Sequence, residues 1–160
     1  MQKQNKEVKV LKEVLEFDIK ELESQKQKAI FDTASIGIVL VKNRVILELN
    51  NKVCSIFGYE YDELLNQSTR IFYEKDGDFD SIKKEYKILE KGKISTWEQN
   101  FIKKDRSEFL ARITMQAIDF TDLDKGTVAT IDDITLERQA LEEIKKAKLL
   151  AEESTKSKSE

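Results

Sequence analysis

Very few residues in this sequence carry reactive chemistry. There is one thiol, Cys54, and no histidine. Without histidine the chain lacks the usual general base, the commonest metal ligand and the side chain that titrates near neutral pH. It also has no acceptor for a phosphohistidine. One cysteine cannot make an internal disulfide or a multi-cysteine zinc site. The five glycines are dispersed singly, so there is no Gly-rich phosphate loop. Asp76-Gly77-Asp78-Phe79-Asp80 alternates acids around a glycine, as calcium loops do. Such a loop closes on a glutamate, and Glu85 falls two residues short of that position. The stretch therefore reads as a solvated turn with helix-capping acids, and no metal site is expected. No catalytic residue is assigned. The polar residues best placed for function are Asp133 and Thr135, where an apolar strand turns into a charged helix.

The totals narrow the field further. The chain has 160 residues, which suits one domain with extensions. Its 28 basic and 31 acidic residues are interspersed, giving a net charge of −3 and no polycationic surface for nucleic acid. No apolar run approaches the ~20 residues that span a bilayer. The longest, Ile36 to Val41, is strand-sized. The Lys/Glu-rich N-terminus has no apolar signal segment, so direct membrane insertion is not expected and a cytoplasmic location is. An upstream membrane anchor in a larger parent stays open. Proline is absent, which suits long uninterrupted helices.

These residues must be positioned by three sections. Residues 1–30 are read as an N-terminal amphipathic signalling helix. Val8, Leu11, Leu15, Leu22 and Ala29 recur at spacings of three, four and seven, an imperfect heptad seam interrupted by Asp18 and Gln25. Two readings are open: a parallel coiled coil between two chains through Val8, Leu11, Leu15 and Leu22, or a single helix packed on its own domain. Residues 31–134 form the central domain. Apolar runs over 36–41 and 44–49 predict a hairpin about Lys42-Asn43. Asn50 to Phe57 predicts two helical turns stopped by Gly58, and Tyr61 to Leu65 one more turn. Phe79 to Glu90 predicts a helix with Asp78 or Asp80 as N-cap and Gly92 just past its end. Strands follow over 94–103, 108–120 and 127–134, joined by the turns 104–107 and 123–126. In the second of these, Phe109, Ala111, Ile113, Met115 and Ala117 make a period-2 apolar row. Residues 135–160 are helix again, with Thr135 able to cap it and a stripe of Ala140, Ile144, Ala147 and Ala151. From Ser154 onward no apolar residue anchors that helix, so its end is expected to fray.

Four segments carry a resemblance. Asn50-Asn51-Lys52-Val53-Cys54-Ser55-Ile56-Phe57-Gly58-Tyr59 resembles the N-x-x-x-x-x-x-F-G-Y segment of PAS domains, and Asp62-Glu63-Leu64-Leu65 the helical turn after it. Lys104-Asp105-Arg106-Ser107-Glu108-Phe109 resembles the family's K-D-G-S-x-F hairpin, with Arg106 in place of Gly. Asp132-Asp133-Ile134-Thr135-Leu136-Glu137-Arg138 resembles its D-I-T-x-x-[KR] exit motif. The four stand in the family's order between about residues 30 and 138. The tail, Ala147 to Glu160, is similar to the linker before the phosphoacceptor helix of sensor histidine kinases.

The resemblance implies an α+β PAS fold: a five-stranded antiparallel sheet with short helices on one face, flanked by coiled-coil-like N- and C-terminal helices. It implies a non-catalytic sensory, relay and dimerisation module of a two-component phosphorelay. The parent would be an ATP-dependent sensor histidine kinase, with its kinase domain downstream in the same chain, beyond the 135–160 linker. Signals would cross the junction at Asp133 and Thr135, and the expected partner is a second copy in a parallel homodimer. A diguanylate cyclase parent is the nearest rival, although the D-x-L-T that follows such linkers is absent. A ligand-free structural spacer and a coloured haem or flavin redox module are the alternatives from other classes.

Under such a sheet an apolar pocket for a small molecule is expected. The candidate lining is Leu40, Leu47, Cys54, Phe57, Leu65, Phe72, Ile82, Tyr86, Leu89, Ile113, Met115 and Thr130. For any single one of these, core packing is the favoured explanation, and no cofactor is named. Histidine-ligated haem is excluded by composition. Flavin photochemistry needs a segment like G-x-N-C-R-F-L-Q, which the residues around Cys54 do not match. Trp97 is either a core anchor or an interface residue, and its indole N–H needs a partner if buried. Asn50 is given a structural role only.

Overall fold

The computed structural model describes residues 2–159. It divides into two compact units at Ser35 and Ile36. The first is one helix, α1 (Gln2–Thr33), in which no residue is buried. Val8, Leu11, Leu15 and Leu22 are all exposed.

The second unit contains β1 (Gly37–Lys42), β2 (Val45–Leu49), α2 (Asn51–Phe57), α3 (Tyr61–Leu64), a 3-10 turn (Thr69–Phe72), α4 (Asp76–Ser81) and α5 (Lys83–Glu90). It continues with β3 (Ser95–Ile102), β4 (Glu108–Ala117), β5 (Thr127–Asp133) and α6 (Thr135–Ser159). The strands form one antiparallel sheet in the order β2-β1-β5-β4-β3. β3, β4 and β5 are the expected meander, and β1 closes against β5 to bring the first hairpin into the same sheet.

The inner face follows from strand parity. On β4 the row Phe109, Ala111, Ile113 and Met115 is buried, because polar residues alternate with it. On β1 the buried residues are Val39 and Val41, and on β5 they are Thr127, Ala129 and Ile131. β2 breaks the alternation with a bulge. Val41 pairs with Ile46 while Leu40 pairs with Glu48, so Leu47 is an extra residue. The bulge lets Ile46 and Leu49, three apart, both face inward.

At the centre of the core, Phe57 stacks on Phe72 with ring centroids 3.9 Å apart and meets Phe109 edge-on at 5.3 Å. Gly58 closes α2 in the left-handed conformation, φ 78°, which it adopts at no steric cost.

Two local expectations need correction. The helix expected over 79–90 is two helices broken at Ile82, and the first starts at Asp76. Neither Asp78 nor Asp80 is an N-cap; Asp76 and Asp78 instead lie in the first turn of α4, where negative charge complements the helix dipole. The exit helix runs from Thr135 through Ser159, and no Gly or Pro interrupts it. Its last expected residue, Glu160, lies outside the described residues.

The β3–β4 hairpin explains the Arg106 departure. Arg106 has φ 72°, a left-handed conformation that costs a residue with a Cβ about 1–2 kcal/mol. Asp105 holds the turn by accepting from the Ser107 N–H at 2.9 Å and from its hydroxyl at 2.5 Å. Arg106→Gly should therefore raise stability by up to about 1 kcal/mol, read as a higher urea midpoint with an unchanged slope.

Candidate sensory cavity and output junction

Two features of the second unit have the makings of a functional site. One is a cavity on the inner face of the sheet, and the other is the start of α6.

The cavity has a volume of about 50 Å³. Its floor is Val39 and Val41 of β1, Thr127, Ala129 and Ile131 of β5, Ile113 and Met115 of β4, and Trp97 and Phe101 of β3. Phe72, Tyr73, Thr69, Ile82 and Tyr86 close it from the helical side, and Arg44 reaches it from the β1–β2 turn. Five of the residues expected to line a pocket do so: Phe72, Ile82, Tyr86, Ile113 and Met115. Seven do not. Leu40 and Thr130 alternate with the buried rows and lie on the other face of the sheet. Leu47 is the bulge residue and is exposed. Phe57 is fully buried in the aromatic core, packed on Phe72 and Phe101, and does not itself line the cavity. Leu65 packs against the core without lining the cavity, Leu89 is buried at the end of α5, and Cys54 is half-buried on α2. Burial, helped by the charge of Glu60, pushes the Cys54 thiol above its ordinary value. That is the opposite of what a nucleophile or thiolate ligand needs.

Arg44 is not legible as a site residue from the sequence, because a charged residue in a hairpin reads as a solvated turn. Asn43 and Arg44 have φ 50° and 64°, the two left-handed positions of a tight hairpin turn, where Asn-Gly is the favoured pair. Arg44 Nη1 donates to the Phe79 carbonyl at 2.6 Å, and its guanidinium lies 3.5 Å from the centre of the Phe79 ring. Burial lowers its pKa, although an arginine stays charged. The Tyr73 hydroxyl is pushed up to about 12, mainly by burial, with Arg44 acting the other way. Burial raises Tyr86 as well. Both phenols are therefore protonated donors at neutral pH.

The junction is built differently from its expected form. Thr135 does not cap α6. Its Oγ1 accepts the Leu110 N–H of β4 at 3.3 Å, and the cap comes from Asp133, whose Oδ1 accepts the Thr135 N–H at 3.0 Å. Ile134 between them is 1% exposed, and its N–H donates to the Leu110 carbonyl at 3.0 Å. Leu110 thus holds both residues that start the helix. Asp133 makes no ion pair among the described residues. The charged links are Arg112 with Glu137 at 3.5 Å, and Arg138 with Glu98 of β3. Arg138 stands at the basic position of the exit motif, so the motif itself could have pointed to that pair.

Asn50 caps α2 and also ties it to the sheet. Its Oδ1 accepts from the Val53 N–H at 3.3 Å and the Ile38 N–H at 3.0 Å, and its Nδ2 donates to the Ile36 carbonyl at 3.1 Å. Lys104 latches the β3–β4 hairpin to the helical side: its N–H donates to the Phe57 carbonyl at 2.9 Å, and its ammonium meets Glu63 at 2.7 Å. Among the described residues there is no cluster of three or more His, Cys, Asp or Glu side chains placed to hold a metal. No helix among them is long and apolar enough to cross a membrane.

This arrangement, a five-stranded sheet with a hollow inner face and a helix bonded to its end, is the form of a sensory module. The sequence model of the PAS domain matches residues 33–136, and the chain belongs to the PAS domain family. A relative, the sensor protein TdiS of Thauera aromatica, is 26% identical over 119 residues, which are 74% of this chain and 22% of that protein. The chain thus spans about a fifth of that relative's length. Among solved structures, the PAS domain of a LuxR-family transcriptional regulator from Burkholderia thailandensis, in complex with ethanol, has a TM-score of 0.63 at 24% identity, covering 67% of this chain and 96% of that one. A domain of a sensory box sensor histidine kinase/response regulator from Geobacter sulfurreducens has a TM-score of 0.54 at 19% identity, covering 68% and 91%. At these identities the solved structures establish the fold.

Proposed function

We propose that this chain is the non-catalytic sensory or relay module of a sensor histidine kinase. In this reading a change in the sheet passes through Asp133, Ile134 and Thr135 into α6, and α6 leads to a kinase domain downstream in the same chain. The observation that carries it is the double hydrogen bond of Leu110 with Ile134 and Thr135, which makes the first turn of the helix an extension of β4. A displacement of β4 then has to move or release the helix start, which is the two-state element that coupling requires. The likeness to a sensor protein supports the sensory part. The exposed Val8, Leu11, Leu15 and Leu22 of α1 support pairing with a second copy in parallel. A cytoplasmic setting fits such a kinase.

The test is Thr135→Val, which keeps the shape and removes the acceptor. Amide exchange at Leu110 and in the first turn of α6 should accelerate about tenfold or more, while the amides of the β1–β5 ladder keep their protection. Joined to its kinase, the variant should show altered autophosphorylation and a weakened response to input. Unchanged exchange at Leu110 and unchanged kinase output would sink the junction reading. Native mass spectrometry checks the pairing, and a monomer at all concentrations would remove it.

A further inference from the structure

Three buried side-chain polar atoms have no hydrogen-bond partner among the described residues: Arg44 Nη2, Trp97 Nε1 and Thr127 Oγ1. All three residues line the one cavity of about 50 Å³. Buried polar groups are nearly always paired, and each one left unpaired is costly. Three orphans around one apolar hollow therefore point to something that occupies it.

The chemistry of the occupant follows from the orphans. An indole N–H and a guanidinium N–H only donate, and Thr127 can donate as well. The Tyr86 hydroxyl lies near Thr127, and the Tyr73 hydroxyl near the Arg44 guanidinium, but neither satisfies the orphaned atom with hydrogen-bond geometry. The cavity thus presents donors and wants acceptor oxygens. The guanidinium adds a sign: no Asp or Glu among the described residues is within 4.0 Å of Arg44, and Asp80 acts on this half-buried cation only from farther away. Its backbone also occupies a left-handed turn position that suits glycine better, so packing economy does not explain its presence. Thr69, Tyr73 and Tyr86 add three more hydroxyls to the lining, and the rest of it is Val, Ile, Ala, Met and Phe. That combination asks for an anionic acceptor at one end and a short hydrocarbon body at the other. One water needs about 10–15 Å³ of such space, so the occupant has only a few non-hydrogen atoms.

We propose that the cavity is the binding site of a short-chain monocarboxylate, in the size range of acetate and propionate, with its carboxylate on Arg44, Trp97 and Thr127. This rests on the sensory reading above and names the input of the same domain. Binding would satisfy the three orphans together. It would also tie the β1–β2 turn, which carries Arg44, to β3 and β5.

The chain has one tryptophan, so its nitrogen-15 spectrum holds one indole N–H signal, and that signal belongs to the cavity. The experiment titrates the full chain with sodium propionate. Sodium chloride and sodium phosphate serve as controls at matched ionic strength, and 1-propanol and sodium hexanoate as the uncharged and oversized analogues. The expected result is a saturable shift of the Trp97 indole signal with propionate only. Arg44→Gln should weaken binding at least tenfold, and Thr127→Val several-fold. The proposal is overturned by no saturable shift with propionate, by an equal response to 1-propanol, phosphate or hexanoate, or by full affinity in Arg44→Gln. If Arg44→Gln loses its dispersed spectrum, Thr127→Val decides alone, and full affinity there overturns the site. Absent binding leaves the exchange test at Leu110 unaffected, so the two readings fail separately.

Discussion

Phe57→Ala should lower the stability of the domain by about 3–5 kcal/mol, the largest loss expected from any single truncation here. Phe57 is fully buried and touches three other rings, stacking on Phe72, tilting against Phe101 and meeting Phe109 edge-on. Removing it leaves a void lined by rigid aromatic faces from the 3-10 turn, β3 and β4, which cannot collapse inward together. Domains of this size have only about 5–15 kcal/mol in all, so the variant sits near the edge of folding. The check is equilibrium urea unfolding, with the midpoint falling sharply. A loss under about 1 kcal/mol would mean that the ring cluster repacks freely, against the geometry described. The Phe57 carbonyl also accepts the Lys104 N–H, so the same variant should loosen the β3–β4 hairpin, visible as faster exchange at Lys104.

Asn50→Ala ranks second, at about 3 kcal/mol or more. Asn50 is completely buried and serves three backbone groups with one side chain. Truncation leaves the Ile38 N–H and the Ile36 carbonyl without this partner and strips the cap from α2, each worth about 1 kcal/mol or more. Asn50→Asp keeps the two accepted bonds but loses the donor to Ile36 and buries a charge, so it should also destabilise at neutral pH. Unfolding midpoints for the two variants, compared with an exposed control such as Asn51→Ala, separate this role from a general surface effect. Wild-type stability in Asn50→Ala would show that the ties to β1 are dispensable.

How much of this was readable beforehand depended on how unambiguous each local pattern was. β4 alternates cleanly between apolar and polar residues, so Ile113 and Met115 were placed on the correct face. Ile36 to Val41 is apolar at both parities apart from Gly37, and Thr127 to Ile131 mixes small and apolar residues at both. Parity alone cannot choose there, and Leu40 and Thr130, expected in the pocket, lie on the other face. Leu47 was lost to the bulge, which is a property of the pairing of β2 with β1 and not of β2 alone. The D-I-T segment marked the junction, but not the exchange of duties between Asp133 and Thr135. That exchange depends on Leu110, distant in sequence and brought alongside only by the β4–β5 ladder. Arg44 was invisible for the same reason: its unpaired nitrogen has meaning only beside Trp97 and Thr127, which come from other strands.

The strand order has a mechanical consequence. β1 and β5 are antiparallel neighbours at the middle of the sheet, with Gly37 opposite Ile131. The chain therefore enters and leaves the sheet at the same end of one strand pair. Tension between residues 36 and 134 would not shear that ladder, with all its bonds loaded at once. It would open the ladder like a zip from the Gly37–Ile131 pair, one rung after another and at low force. The clasp on that zip is Leu110, whose two bonds to Ile134 and Thr135 must yield before the tension reaches the first rung from the exit side. The domain is thus soft to pulling at the end of the sheet where α6 begins.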